Sequence, residues 1–362
     1  MKIGIIDADL IGKKKHRFPN LASMKISGYY KEAGHTCELL TNYNSISQFD
    51  KVFISKVFTD TPIDSDILQL KNVEYGGTGF FYDKADPLPY EIEHHMPDYH
   101  LYDEWVSEQI AKGRKRSEFK YYINYAIGYT TRGCFRHCEF CVNQNYNKVL
   151  LHSPLEEFVS SDRRKICLLD DNVFGFSGWR DIFLQLNSTG KSFQFKQGLD
   201  ERLMTEEKCE ILFGSKYDGE YIFAFDDIRD KELIESKLQM MRRYTDKYLK
   251  FYVLCGFDRN NRWDHDFWVQ DVFDMMERID LLQSYHCLPY IMRFNRYIES
   301  PYQGVYKTVT SWCNQPSFFK KKSLREFGIA SFNDGRKSRL KYIEDFENLY
   351  PEFKKYMDMK WE

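Results

Sequence analysis

The chain has 362 residues, 43% hydrophobic and 29% charged, and 52 Lys+Arg against 54 Asp+Glu leave a net charge of −2. This balance excludes collagen-like and disordered chains and gives no whole-molecule attraction to nucleic acid phosphates, so any such contact has to be local. A single core stops growing at about 250–300 residues, so one large domain with a smaller one is expected.

The first residues, MKIGIIDADLIGKKKHRF, put a short acid-interrupted apolar run ahead of a basic cluster, the reverse of a secretory signal. No apolar stretch reaches the ~18 residues of a membrane span. A cytoplasmic protein with no membrane partner is expected. Nine cysteines, an odd number, argue against a disulfide framework and for metal or redox chemistry.

Lys2–Asp7 (KIGIID) reads as a strand, Asn20–Ala33 as a helix that stops at Gly34, and Thr36–Leu40 and Lys51–Phe58 as two further strands. This order predicts a small Rossmann-like α/β domain over residues 1–82. Gly76-Gly77-Thr78-Gly79 has the look of a phosphate cradle, but it does not join a first strand to its helix, and a tight turn is the simpler reading. Residues 83–118 form a connecting segment in which Pro87, Pro89 and Pro97 break regular structure and which could pack across both domains. His94, His95 and His100 lie there; a metal site is conceivable, and satisfied or surface histidines are the simpler account.

From residue 119 to 296 a rhythm sets in. Strand-like runs at Asn124–Tyr129, Lys165–Leu169, Ser192–Lys196, Glu220–Phe225, Lys250–Leu254 and Cys287–Phe294 alternate with helical segments, among them Ser177–Leu186, Thr205–Phe213, Lys231–Tyr244 and His265–Ile279. Parallel neighbours need crossovers, so six strand–helix units predict a parallel sheet. Six are too few for a full eight-stranded barrel, so the expectation is a partial (β/α)6 TIM-like barrel with its chemistry at the C-terminal strand ends. Residues 297–362, with helices expected at Ser323–Phe327 and Lys341–Leu349, form a helical extension.

The sharpest feature is GYTTRGCFRHCEFCVNQ, where Cys134, Cys138 and Cys141 stand in C-x3-C-x2-C spacing just after the first barrel-type strand. Three thiolates on one loop can hold three irons of a cubane cluster, leaving one iron open, whereas structural zinc wants four protein ligands. His137 could be a fourth zinc ligand, but its place between two of the cysteines makes that geometry awkward.

This spacing, the preceding strand, Phe140 before the last cysteine and the six βα units resemble the radical S-adenosylmethionine superfamily over residues 120–295. The resemblance implies that Cys134, Cys138 and Cys141 bind a single [4Fe-4S] cluster and that S-adenosylmethionine chelates its fourth iron. One electron from the reduced cluster then homolyses the S–C5′ bond to methionine and a 5′-deoxyadenosyl radical, which abstracts a hydrogen atom from the substrate. Carried over by position, Phe140 lies beside adenine. Asp171 and Asn172, with Asp170 at the end of the second strand, suit the methionyl ammonium or the ribose, and Gln197 and Arg202 after the third strand suit the cofactor, Arg202 by forking to its carboxylate. The family's Gly-Gly-acid signature after the second strand is not matched. Asp226-Asp227, Cys255, Asp258, Arg293 and Asn295 end the later strands. Cys255 could donate a hydrogen atom to a product radical, against the simpler reading of a buried inert thiol, and for the Asp pairs helix capping competes with substrate binding.

The N-terminal layout resembles radical enzymes with a cobalamin-binding-type domain. The Asp-x-His-x-x-Gly cobalt-ligand motif is absent: Asp7 and Asp9 are followed by Leu10, Ile11 and Gly12, and His16 is out of register. Cobalamin is therefore not favoured, although a methyltransferase stays open because some relatives bind cobalamin without that histidine. Only Cys37 lies in the N-terminal region and Cys287 and Cys313 are isolated, so one cluster is expected, with Cys167 and Cys209 in the core. The substrate is undefined, whether small molecule, peptide or RNA, and an electron donor such as flavodoxin or ferredoxin is implied. Basic groups at Lys13–Arg17, Lys112–Arg116 and Lys320–Lys322, the last beside Phe318 and Phe319, could touch RNA, but a solvated face is the simpler reading. A non-catalytic metal scaffold is the remaining alternative.

Overall fold

The computed structural model describes residues 1–13 and 15–361; Lys14, within the basic group Lys13–Arg17, lies outside the described residues. The chain divides into two compact units, Met1–Lys196 and Gln197–Glu362.

In the first unit, β1 (Lys2–Asp7), β2 (Thr36–Leu39), β3 (Lys51–Ser55) and β4 (Val73–Gly76) form a parallel sheet in the order β2-β1-β3-β4. The central strand is buried on both faces, as parallel strands between covering layers must be. Ile3 and Ile5 join one cluster with Met24 and Ile26 of the helix Leu21–Glu32, while Ile6 joins another with Leu40, Phe49, Val52 and Ile54. That helix starts where expected because the Asn20 side chain accepts from the Ser23 N–H at 3.0 Å. The edge strand β4 was not anticipated.

The segment after residue 82 is more regular than its prolines suggest, with helices at Tyr90–Glu93 and Asp103–Ala111. The second begins well past Pro97, with Asp103 and Glu104 in its first turn, where the helix dipole favours acids. Ile92, Tyr99, Leu101, Tyr102 and Val106 pack in the cluster that holds Ile3 and Ile5 on one side and Tyr125, Ala126 and Ile127 on the other. The segment thus welds the N-terminal sheet to the first strand of the next one.

That next sheet runs β5 (Tyr125–Gly128), then β8 (Lys165–Leu168) and β9 (Ser192–Phe195), all parallel. A short antiparallel pair, β6 (Thr131–Arg132) with β7 (Leu150–Leu151), lies between β5 and β8 in the chain. The helix Trp179–Ser188 makes the crossover from β8 to β9 and buries Ile182, Phe183 and Leu186.

In the second unit β10 (Tyr221–Ala224), β11 (Leu249–Cys255) and β12 (Cys287–Arg293) form another parallel sheet in that order, with Lys231–Arg242 and His265–Ser284 as crossovers. Along β11, Leu249, Phe251, Val253 and Cys255 are buried while Lys250, Tyr252 and Leu254 are half-buried. Arg278 is buried in the second crossover helix and donates to Phe225 O at 3.0 Å and Leu254 O at 2.8 Å, which ties the ends of β10 and β11. The edge strand β12 lacks one N–H at Pro289, and its Ile291 backbone is satisfied by the Asn314 side chain, which accepts from the N–H at 2.7 Å and donates to the C=O at 3.0 Å. Asn314 follows the helix Gln303–Cys313, which was not anticipated; Leu324–Asn333 and Ser338–Leu349 complete the helical C-terminus.

All six expected βα strands are present. Among the described residues their ladders form two sheets of three, so the structure is mixed α/β with parallel sheets, and one continuous barrel wall goes beyond these ladders. No described helix is long and apolar enough to cross a membrane.

Candidate functional site

The cysteine loop hangs from a clasp. Thr131 and Arg132 of β6 pair with Leu151 and Leu150 of β7, and His152 N–H donates to Thr130 O at 2.8 Å. Residues 133–149 therefore leave and return through adjacent positions. Gly133 opens the loop at φ +96°, and a Cβ there would stand 2.6 Å from Lys148 O and against the Tyr146 ring, so only glycine fits.

Cys134, Cys138 and Cys141 are partly exposed. Cys141 N–H donates to Cys138 O at 2.8 Å, which makes the C-x2-C half a tight turn. Backbone N–H groups approach two sulfurs, Arg136 N to Cys134 Sγ at 3.5 Å and Asn143 N to Cys141 Sγ at 3.4 Å. Hydrogen bonds of this kind to sulfur tune iron–sulfur centres. Gln144 Nε2 holds the loop from within, donating to Cys138 O at 3.2 Å and Glu139 O at 2.9 Å. Among the described residues no three His, Cys, Asp or Glu side chains are gathered closely enough to hold a metal ion. The donor chemistry of the loop, three thiols with amide hydrogens directed at sulfur, fits an iron–sulfur cluster. His137 stands at φ 47° and is exposed.

The end of β8 meets both ends of this loop. Asp170 is buried and accepts four hydrogen bonds, from Thr130 N at 3.1 Å, Thr130 Oγ1 at 2.5 Å, Thr131 N at 2.6 Å and Thr131 Oγ1 at 2.7 Å. Burial pushes its carboxyl up, against the pull of the threonine donors. Asp171 accepts from Gly133 N at 2.7 Å and from Asn143 Nδ2 at 2.5 Å. Asn172 Nδ2 donates to Cys134 Sγ at 3.5 Å. Sequence reasoning placed Asp171 and Asn172 at the right strand end but missed these partners; the Thr130-Thr131 pair, four donors just ahead of the loop, was the available signal.

Phe140 sits on the cysteine loop and is half-buried. Gln197, Arg202 and Cys255 belong to the second unit. Gln197 is exposed. The Arg202 guanidinium is occupied by carboxylates, Asp200 at 2.9 Å and Asp230 at 3.1 Å, so its fork is not standing open for an anion. Beside it Glu201 is buried, accepts from Ala224 N at 3.1 Å, and is pushed up to about 8 by burial and then by Asp200. Cys255 shares the fully buried parity of β11 with Leu249, Phe251 and Val253, and burial drives its thiol far up. That placement gives the hydrogen-donor role no geometric support and accords with the inert-thiol alternative.

The other candidates resolve individually. His94, His95 and His100 each face their own acid, Glu157, Glu32 and Asp103 respectively, and do not converge. At Gly77 and Gly79 a Cβ would lie 2.4 Å and 2.9 Å from Lys56 O, so these glycines let the end of β4 press on the end of β3, which is the turn reading. His16 is buried, with Nδ1 2.5 Å from the Tyr122 hydroxyl, and burial holds it down to about 4. It is a packed neutral imidazole.

No family model matches the sequence, and no curated protein does. By structure, the match to the radical S-adenosylmethionine methyltransferase TsrM from Kitasatospora setae, solved with cobalamin and a [4Fe-4S] cluster bound, covers 81% of this chain and 72% of that one, with a TM-score of 0.52 and 11% identity. A match to the cobalamin-dependent S-adenosylmethionine radical enzyme OxsB covers 81% of this chain and 49% of the other, at a TM-score of 0.38 and 14% identity, too distant to carry an argument. At 11% identity the first likeness is one of fold.

Proposed function

We propose that the chain is a radical S-adenosylmethionine enzyme with one [4Fe-4S] cluster held by Cys134, Cys138 and Cys141. The observation that carries this reading is the position of three cysteines on one clasped loop after β5, in a fold similar to that of a radical S-adenosylmethionine methyltransferase. When bound, the cluster and S-adenosylmethionine supply one-electron cleavage of the S–C5′ bond and a 5′-deoxyadenosyl radical that abstracts hydrogen. The chain's residues hold and orient: the three cysteines ligate, Asp170 fixes the start of the loop, and Phe140 offers its ring beside the nucleotide. The six parallel strands belong to a partial barrel in this reading, with residues 1–82 as a Rossmann-like domain and 297–362 as the extension. The substrate is a small molecule, peptide or RNA, a flavodoxin or ferredoxin supplies electrons, and the setting is cytoplasmic.

The test is anaerobic reconstitution followed by dithionite and S-adenosylmethionine. Formation of 5′-deoxyadenosine is expected, and it is lost in C134A, C138A and C141A together with iron. Protein purified anaerobically with zinc and no iron, or a loaded cluster that yields no 5′-deoxyadenosine with any reductant, overturns the reading.

A cobalamin-dependent methyl transfer is the second reading. Setting cobalamin aside on the missing histidine finds no support in a likeness to a cobalamin-bound protein. The specific observation that favours it is an apolar rim at the C-terminal ends of β3 and β4, where Val57, Phe58, Phe81 and Tyr82 are 50%, 51%, 42% and 51% exposed around Gly76–Gly79. Such a rim suits a large flat cofactor better than water, and His16, packed on Tyr122, would not be its metal ligand. Equilibrium dialysis with hydroxocobalamin decides: retention by the wild type and its loss in F58A and F81A support the reading, and no retained corrinoid removes it.

A further inference from the structure

We propose that Asp171 and Asn172 are positioning residues of the cysteine loop, Asp171 spanning it from Gly133 to Asn143 and Asn172 setting the reduction potential of the cluster through Cys134. The inference rests on the cluster reading of the loop and reassigns two residues that strand-end reasoning gave to the nucleotide.

The geometry of Asp171 is that of a bridge. Its Oδ2 accepts from Gly133 N, one residue before the first cysteine, and its Oδ1 accepts from Asn143 Nδ2, two residues after the last, at 2.7 Å and 2.5 Å. Both carboxylate oxygens are thus committed to opposite ends of the nine-residue stretch from Gly133 to Cys141 and its exit. A loop that must present three sulfurs to one cluster loses entropy when its ends are fixed before the metal arrives, so the same bonds that close it also favour loading. Asp170, one residue earlier, commits both its oxygens to Thr130 and Thr131. The two neighbouring acids therefore divide the work between the stem and the span.

Asn172 acts on a ligand atom. Its Nδ2 lies 3.5 Å from Cys134 Sγ, within the reach of an N–H···S hydrogen bond, and Arg136 N reaches the same sulfur at 3.5 Å. Cys134 thus receives an amide hydrogen from another strand, in addition to the local one. A reduced cluster carries one more electron than an oxidised one, and part of that charge resides on the thiolates. A donor to sulfur stabilises the reduced form and raises the potential. The residue following Asn172 begins a short helical turn, Val173–Gly175, with Val173 and Phe174 buried, which anchors the amide from behind.

The test separates these effects from nucleotide binding and from the cluster reading itself. Asn172→Asp keeps the shape and removes the N–H donors; Asn172→Ala removes the amide. Reconstituted wild type and variants are compared by iron content, by a redox titration followed by electron paramagnetic resonance, and by equilibrium dialysis of labelled S-adenosylmethionine. The expected result is wild-type iron, a potential shifted negatively so that the ratio of reduced to oxidised cluster falls about tenfold at a fixed reductant, a shift of ~59 mV, and S-adenosylmethionine affinity within about twofold of wild type. An unchanged potential overturns the Asn172 assignment, and if affinity alone is lost the residue is a nucleotide ligand. For Asp171 the readout needs no metal: hydrogen exchange at the Gly133 amide of the apo-protein is expected to accelerate at least tenfold in D171A and less in D171N, with the circular dichroism of both unchanged. Unaltered exchange overturns the bridge. Wild type that takes up no iron defeats the cluster reading and the potential claim with it, while the exchange measurement still decides the bridge.

Discussion

Two Asp-Asp pairs end parallel strands in this chain, and they do different work. After β8, Asp170 collects four donors from Thr130 and Thr131, and Asp171 turns to the cysteine loop. After β10, Asp226 accepts one backbone bond, from Leu254 N at 3.0 Å, and Asp227 caps the following turn through Arg229 N while pairing with Arg229 and Arg259. In both pairs the first acid meets backbone N–H groups at or beyond the end of the neighbouring strand, and the second bonds to residues outside the sheet. What separates them is the neighbour. β5 is followed by two threonines and a long excursion that needs tying, whereas β11 runs on as a strand and offers a single N–H. The dipeptide alone does not define a site; the donors that meet it do.

The comparison can be broken by removing each acid in turn. D170A leaves two buried backbone N–H groups and two hydroxyls without their acceptor, and should cost about 3 kcal/mol or more in urea denaturation; a loss near that of an exposed acid would mean the stem is held otherwise. D226A forfeits one backbone acceptor bond and is expected to cost about 1–2 kcal/mol in the same assay. D227A loses partners on a solvated face, Arg229 being 68% exposed, and should change stability by ~0.5 kcal/mol or less. If the order of these three losses is reversed, the contrast between the two strand ends fails.

A pH experiment sharpens the contrast, because β10 also meets a buried acid. Glu201 accepts from Ala224 N, and burial pushes its carboxyl to about 8. A carboxyl raised above its unfolded value, about 4.3, gives stability that is complete below that value and lost as pH climbs toward the folded one. Wild type should therefore lose melting temperature between about pH 4.3 and pH 8 relative to E201Q, which retains an acceptor oxygen and cannot ionise. A constant difference between the two proteins across that window would show that Glu201 does not hold its proton.

Much of the fold was legible in the sequence because buried parallel strands are short apolar runs. The starts of all six strands from residue 119 to 296 lie within one residue of expectation. What escaped was what lacks that pattern. In β4, VEYG, no residue is buried, so no alternation marks it. The helix Gln303–Cys313 is rich in Val and Thr, which read as strand formers, and only the spacing of Val305, Val309 and Trp312 marks its buried face. The cysteine loop could be read from spacing alone, since its three cysteines are a local pattern. The partners of Asp171 and Asn172 could not, because they depend on β8 lying beside β5, which brings residues 28 and 38 positions apart into hydrogen-bond range. Cys255 illustrates the same limit: its place at a strand end was legible, and which face it took was not.

The two-rung pairing of β6 with β7 gives the cysteine-bearing segment a single doorway, with Arg132 on one jamb and Leu150 on the other. A stretch that exits and re-enters at facing positions transmits little of its own rearrangement to the scaffold. Its seventeen residues could thus be replaced only if Gly133, Asn143 and Asn145 keep their bonds to Asp171 and Asp83. Between those moorings the pendant can be rewritten with the Thr-Thr stem left untouched.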